Sequence, residues 1–173
     1  MVNQGVSGHL PIGRTPSAPR PDALAGLVTI VSGTAGLLQI LLEWTSRVGT
    51  VGVADPDGMT GWGMLQLLRG FAVASKAHAV AGYAVLGTAV IGGGLILLGL
   101  AMWAPINHRP LGFVGLALAL AVLAGEVWWL ARGGQFTGMS LGDLFAHAGP
   151  GWYLFLLAGP IGILGTVRAV AAG

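Results

Sequence analysis

Four long apolar stretches, almost free of charge, constrain this chain more than any motif in it. They run from Ala23 to Leu42, from about Ala77 to Pro105, from Leu111 to Ala131 and from about Gly151 to Arg168. A membrane helix needs roughly 20 apolar residues to cross about 30 Å of hydrocarbon. Lipid satisfies no backbone N–H or C=O, so such stretches must close their hydrogen bonds as helices. The expected fold is therefore all-α: a polytopic membrane protein with a four-transmembrane-helix bundle. Two regions are read, a Pro-rich tail over residues 1–22 and a membrane domain over 23–173.

Composition narrows what such a bundle does. Of 173 residues 54% are hydrophobic and 8% charged, against roughly 25% charged in a soluble domain. There is no cysteine, which removes disulfides, thiolate metal sites and thiol redox chemistry. A net charge of +2 with no basic patch gives nucleic acid nothing to bind.

Trp and Tyr prefer the headgroup level. Trp44, Trp128, Trp129, Trp152 and Tyr153 are expected at one interface and Trp103 at the other. Lys and Arg tie for orientation: Arg14, Arg20, Arg109 and Arg168 against Arg47, Arg69, Lys76 and Arg132. Both termini are read as cytoplasmic, because residues 23–42 follow a basic, Pro-rich start in the manner of an uncleaved signal anchor. Glu43, Asp55, Asp57 and Asp143 also balance the opposite set.

The segment 43–76 is the largest feature outside the membrane. Glu43 and Arg47 have the i,i+4 spacing of an ion pair on a helical extension. Asp55-Pro56-Asp57-Gly58 is a turn signal. Trp62, Leu65, Leu68 and Phe71 or Ala72 then recur at helical spacing, which predicts a short amphipathic ectoloop helix that caps the bundle or lies on lipid. Pro105–Pro110 reads as a tight turn, and 131–150, with its Gly133-Gly134 pair, as an adaptable connection.

Glu126 is the one acid inside a span. A carboxyl at that depth is expected to face the bundle and find a partner, with Arg132, Lys76, His78 and His147 in reach. Its open roles are a proton relay, a bond to another subunit, or an interfacial acid meeting water. His78 and His147 fall at one membrane face, either as interfacial side chains or as haem or metal ligands. Small residues recur every four positions at Ala84-Thr88-Gly92, Ala117-Ala121-Gly125 and Ala158-Gly162-Thr166, a spacing that lets helices approach closely. Pro160 predicts a kink in the last span.

Leu41-Leu42-Glu43-Trp44, a polar loop, Asp55-Pro56-Asp57-Gly58 and Gly61-Trp62 resemble the small four-span envelope proteins of actinobacteria. The likeness spans roughly residues 24–105. Some of those proteins resemble accessory subunits of Mce-type lipid uptake transporters or respiratory supercomplexes. The resemblance implies a bacterial inner-membrane protein and assigns no catalytic residue. The expected function is a non-catalytic accessory subunit of a larger complex, lipid transport first among the hosts. Its partners would be other integral membrane subunits and lipid. Trp62, Phe71, Glu126, Gly92, Gly125 and Gly162 are the packing or partner candidates; no cofactor, metal ligand or catalytic residue is assigned. The alternatives are an oligomeric transporter or channel component and a haem-binding membrane protein.

Overall fold

The computed structural model describes residues 21–46, 58–73, 75–137 and 140–172. The tail before Pro21, Arg47 and the Asp55-Pro56-Asp57 turn lie outside them. The order of elements is α1 (Ala23–Leu38), β1 (Glu43–Thr45), β2 (Met59–Thr60), α2 (Gly61–Ala72), α3 (Lys76–Ala101), α4 (Arg109–Thr137), α5 (Leu141–Ala146) and α6 (Pro150–Ala172). Three of the helices, α3, α4 and α6, are long and apolar enough to cross a membrane.

α1 is shorter than the apolar run that predicts it. Its 16 residues rise about 24 Å, and residues 39–42 continue as tightening turns. The Ile40 and Leu41 amides bond the Leu37 and Leu38 carbonyls, three residues back. The stop does not come from loss of hydrophobicity, since Ile40, Leu41 and Leu42 follow. Gln39 is fully buried, and its Nε2 donates to the Val85 carbonyl of α3 at 3.1 Å. Beyond it the Ile40 and Leu42 carbonyls accept from the Trp62 and Gly61 amides at the start of α2, so they are not available to a helix that continues.

Glycines set the helix arrangement. A Cβ on Gly26 would lie 2.6 Å from the Gly99 carbonyl oxygen, and one on Gly33 would collide with the Gly92 carbonyl. Residue numbers rise on α1 as they fall on α3, so the two are antiparallel. On the other side of α1, a Cβ on Gly165 would lie 2.6 Å from Thr29 Oγ1, and one on Gly162 would lie 2.7 Å from Ser32 Oγ. α6 is therefore antiparallel to α1 as well. Gly112 and Gly159 likewise bring α4 against α6, at Val170 and Leu123. With α3 also packed on α4, the four helices close into an up-down-up-down ring.

The connections at one end of the bundle fold over it. β1 pairs antiparallel with β2, and Thr45 bridges to Ala148 before α6. Glu43 is thus in a strand, not in the helical extension expected from its spacing to Arg47. Two contacts make the chain extend here. The Gly149 amide donates to the Trp44 carbonyl at 2.9 Å, and Gly58, at φ 73°, leaves room for the Glu43 side chain where a Cβ would collide. α2 then starts at Thr60, whose hydroxyl caps the Gly63 amide, a favoured N-cap interaction. α2 lays Met64, Leu65 and Leu68 onto the bundle.

The segment 131–150 is mostly helical rather than an open connection. α4 runs through Gly133-Gly134 to Thr137, and α5 begins under a Ser140 cap on the Asp143 amide. Glycine costs an exposed helix only about 1 kcal/mol, and Arg132 bonds Gln135 one turn on. At the other boundary α3 ends at Ala101, short of Pro105, since the residue before a proline is driven out of the helical region. α6 is continuous through Pro160.

Gly33→Val should cost about 1–3 kcal/mol by overpacking, because its Cβ would meet Gly92 backbone and Ile96. Gly93→Ala, where nothing lies within 4 Å, should leave stability unchanged or raise it by up to about 1 kcal/mol. Equilibrium unfolding of the two variants in mixed detergent micelles checks the contrast.

Candidate functional site

The polar groups of the bundle centre come from three helices and converge on one turn of α6. Pro160 has no N–H to give the Leu156 carbonyl, so this turn is short of a helix bond. The neighbouring Gly159 amide donates to Glu126 Oε1 of α4 at 2.8 Å. The Ala158 carbonyl accepts from Ser32 Oγ of α1 at 2.7 Å. A carboxyl and a hydroxyl from two different helices thus clamp the turn at Pro160 from both sides.

Glu126 is 1% exposed. It faces the bundle, and its partner is a main-chain amide rather than Arg132, Lys76, His78 or His147. It does not reach water at the interface. Its burial is tight because Gly159 has no side chain: a Cβ there would lie 2.7 Å from Oε2 and 2.9 Å from the Leu123 Cα. Oε2 has no hydrogen-bond partner among the described residues.

Three buried threonines are spent in the same way. Thr29, Thr88 and Thr166 return their hydroxyls to the carbonyls of Ala25, Ala84 and Gly162, four residues back, the usual way to hide a hydroxyl in an apolar helix. With Gln39, Ser32 and Glu126, each of these six side chains bonds a main-chain group.

Above this centre lies an aromatic cluster. Trp44 of β1 meets Trp129 of α4 at 5.7 Å between ring centroids, Trp152 of α6 at 5.4 Å and Phe155 at 4.9 Å. Trp129 and Trp152 pack edge to face at 5.0 Å. Pairs of this geometry contribute about 0.5–1.5 kcal/mol beyond area burial. Trp44 Nε1 donates to the Gln39 carbonyl and to Gln39 Oε1. Gly61 and Gly151 let the backbone close around the indole, since a Cβ on either would lie within 2.8 Å of a Trp44 ring atom. Trp44, Trp129 and Trp152 are therefore core, not the interfacial belt expected from their positions. Their direction is set by helical phase and by the strands and α2 that cover them. Trp103, at the opposite end, is exposed, as an interfacial tryptophan would be.

The remaining candidates divide between inside and outside. Gly92 packs on Gly33 and Gly36 of α1, Gly125 on Ala84 of α3, and Gly162 on Ser32 and Ala119. All three serve helix packing within this chain. Ala158, Gly162 and Thr166 face inward together, whereas Ala117 and Ala121 are exposed. Trp62 is 47% exposed and Phe71 45%. Nine residues apart, they sit on opposite flanks of the face that α2 buries, so they do not form one patch. Phe71 lies against the His78 ring at 5.5 Å. His147 ends α5, with Nδ1 2.9 Å from the Asp143 carbonyl. Among the described residues no three His, Cys, Asp or Glu side chains are grouped to hold a metal.

Ser32 and Gln39 are the residues that sequence reasoning missed. Both are polar positions inside the first apolar run, and that placement was their only signal. No family model, curated protein or solved structure matches the chain.

Glu126→Leu should destabilise the bundle by about 1–3 kcal/mol, because it leaves the Gly159 amide without that acceptor. Glu126→Gln keeps an oxygen for the amide and should lose less than half as much. Ser32→Ala should cost about 0.5–1.5 kcal/mol. A double-mutant cycle of Glu126→Leu with Ser32→Ala, read by unfolding in micelles, checks whether the two clamps are coupled through the Pro160 turn.

Proposed function

We propose that this chain is a four-span protein of the bacterial inner membrane, with both termini cytoplasmic. In this reading it is a non-catalytic accessory subunit that stabilises a larger membrane complex, one for lipid transport being the leading host. The observation that carries the reading is where the polarity goes. Thr29, Ser32, Gln39, Thr88, Glu126 and Thr166 are each committed to the backbone of the bundle itself. The interior is built as a packed joint. What the molecule offers outward is apolar: Leu97, Val90 and Tyr83 along α3, Leu164 on α6, and Phe71 and Val73 at the end of α2. Surfaces of that kind suit lipid and the helices of other membrane subunits.

α1 completes the bundle as the fourth span in this reading. Its 16 helical residues and the turns to Leu42 together approach the length of the hydrocarbon layer, and a locally thinned bilayer accommodates the rest at modest cost. Asp22 caps its first turn and meets Arg168 of α6 at 3.4 Å, which closes the end of the bundle that carries both termini.

The full chain, tagged in its own bacterium and extracted in mild detergent, should run as one heteromeric complex of fixed stoichiometry by mass photometry. Phe71→Ala should lower recovery of the partner subunit about tenfold, as loss of an aromatic anchor does, without shifting the unfolding midpoint of the isolated chain. Recovery only as a monomer or homo-oligomer would contradict the accessory role. In that event, loss of ion or lipid flux in Glu126→Gln proteoliposomes would support the transporter reading.

A further inference from the structure

α2 lies across the first turns of α3, and Gly82 is what allows it. With no side chain there, Leu65 and Leu68 come down onto the α3 backbone, 3.6 and 3.7 Å from where a Cβ would sit. Beside this contact the two helices leave a groove of about 160 Å³. His78, Ala79, Gly82, Tyr83 and Leu86 line it from α3, and Leu65, Arg69 and Ala72 from α2. Lys76 stands one turn above Ala79 on the same face of α3.

The groove therefore joins an apolar strip, Leu65, Ala72, Ala79, Gly82 and Leu86, to polar side chains of Arg69, His78 and Tyr83. Below it, α3 continues as an uninterrupted apolar helix to Ala101. Arg69 and Lys76 are both exposed. The only ion pair among the described residues joins Arg168 to Asp22, at the far end of the bundle, so neither cation is neutralised by a described carboxylate within 4 Å. Trp62 lies two turns from Arg69 on the same flank of α2, and tryptophan there suits the headgroup layer. An occupant must match all of this: an apolar chain for the slot, an anion for Arg69 and Lys76, and a position at the boundary of hydrocarbon and water.

We propose that the α2–α3 groove binds one anionic phospholipid. The headgroup phosphate sits between Arg69 and Lys76, and an acyl chain runs along Ala79, Gly82 and Leu86. The site rests on the membrane placement of α3 given above and not on the accessory role. Membrane placement is checked separately, by sedimentation of the chain with membranes after carbonate extraction.

The test is native mass spectrometry of the full-length, delipidated protein in detergent, with dioleoyl phosphatidylglycerol and dioleoyl phosphatidylcholine as competing probes. The wild type should retain one phosphatidylglycerol about tenfold better than phosphatidylcholine. The double variant Arg69→Gln, Lys76→Gln should bring the two lipids within about twofold. Ala79→Leu, which fills the slot and leaves both cations in place, should abolish retention of the anionic lipid. Arg109→Gln, at the opposite end, should leave the preference intact. Equal retention of the two lipids by the wild type would overturn the proposal. So would a preference that survives in the double variant or in Ala79→Leu, each variant being shown to unfold at the wild-type midpoint. Displacement of the bound lipid by an excess of inorganic phosphate would also overturn it, since a phosphate site without the acyl slot is a different site.

Discussion

The close approach of α1 to its two neighbours is the constraint on which the rest of the structure depends. α1 is the shortest of the four bundle helices. What holds it is proximity. Gly26 and Gly33 accept the backbone of α3, while Thr29 and Ser32 accept that of α6 at Gly165 and Gly162. At such distances dispersion contacts add up, and a serine hydroxyl reaches a carbonyl on another helix. Just past Gln39, whose amide reaches Val85, the Ile40 and Leu42 carbonyls accept from the Trp62 and Gly61 amides, and the same helix stops there. That stop turns the chain into β1 and sets Trp44 over the bundle end.

The interior polarity follows from that geometry. Pro160 weakens one turn of α6, and the two helices that flank the turn each supply a side chain to it, Ser32 from α1 and Glu126 from α4. A carboxyl in a span is expensive, and here it is spent on the backbone amide beside a proline. The aromatic cluster of Trp44, Trp129, Trp152 and Phe155 does for the end under α2 what the glycines do for the middle. It packs the helix ends beneath α2 into one core. A bundle joined at both levels through its own backbone suits a scaffold more than a conduit, and this is why the accessory reading is preferred over a transport pathway through Glu126.

Much of this was legible in the sequence, and the limits are physical. The apolar runs showed α3, α4 and α6 because length and hydrophobicity along the chain suffice to define such helices. They overstated α1, since the Ile40 and Leu42 carbonyls beyond it bond the Trp62 and Gly61 amides, contacts that no local pattern carries. The amphipathic spacing of Leu65 and Leu68 gave α2 and its buried face, but extended that face to Trp62 and to Phe71 or Ala72, and Trp62 and Phe71 fall at its two edges. The tryptophans near the span ends read as an interfacial belt, because a sequence shows depth and not direction. Trp44, Trp129 and Trp152 point inward only once β1, β2 and α2 have folded over them. Glu126 was recognisable as an inward-facing acid, but its partner is the Gly159 amide, and a backbone donor leaves no mark in a sequence. The α2–α3 groove depends on how two helices cross at Gly82, which spacing alone does not fix.

The central claim is that all four bundle helices cross the bilayer, α1 included, and one measurement tests it most directly. The natural chain has no cysteine, so single cysteines introduced as Ala23→Cys, Ser46→Cys, Asn107→Cys and Ser140→Cys report on a clean background. A membrane-impermeant maleimide applied to spheroplasts should label positions 46 and 140 and leave 23 and 107 unlabelled until the cells are lysed. Labelling of 23 together with 46 and 140 would show that α1 does not cross, and would contradict the four-span bundle.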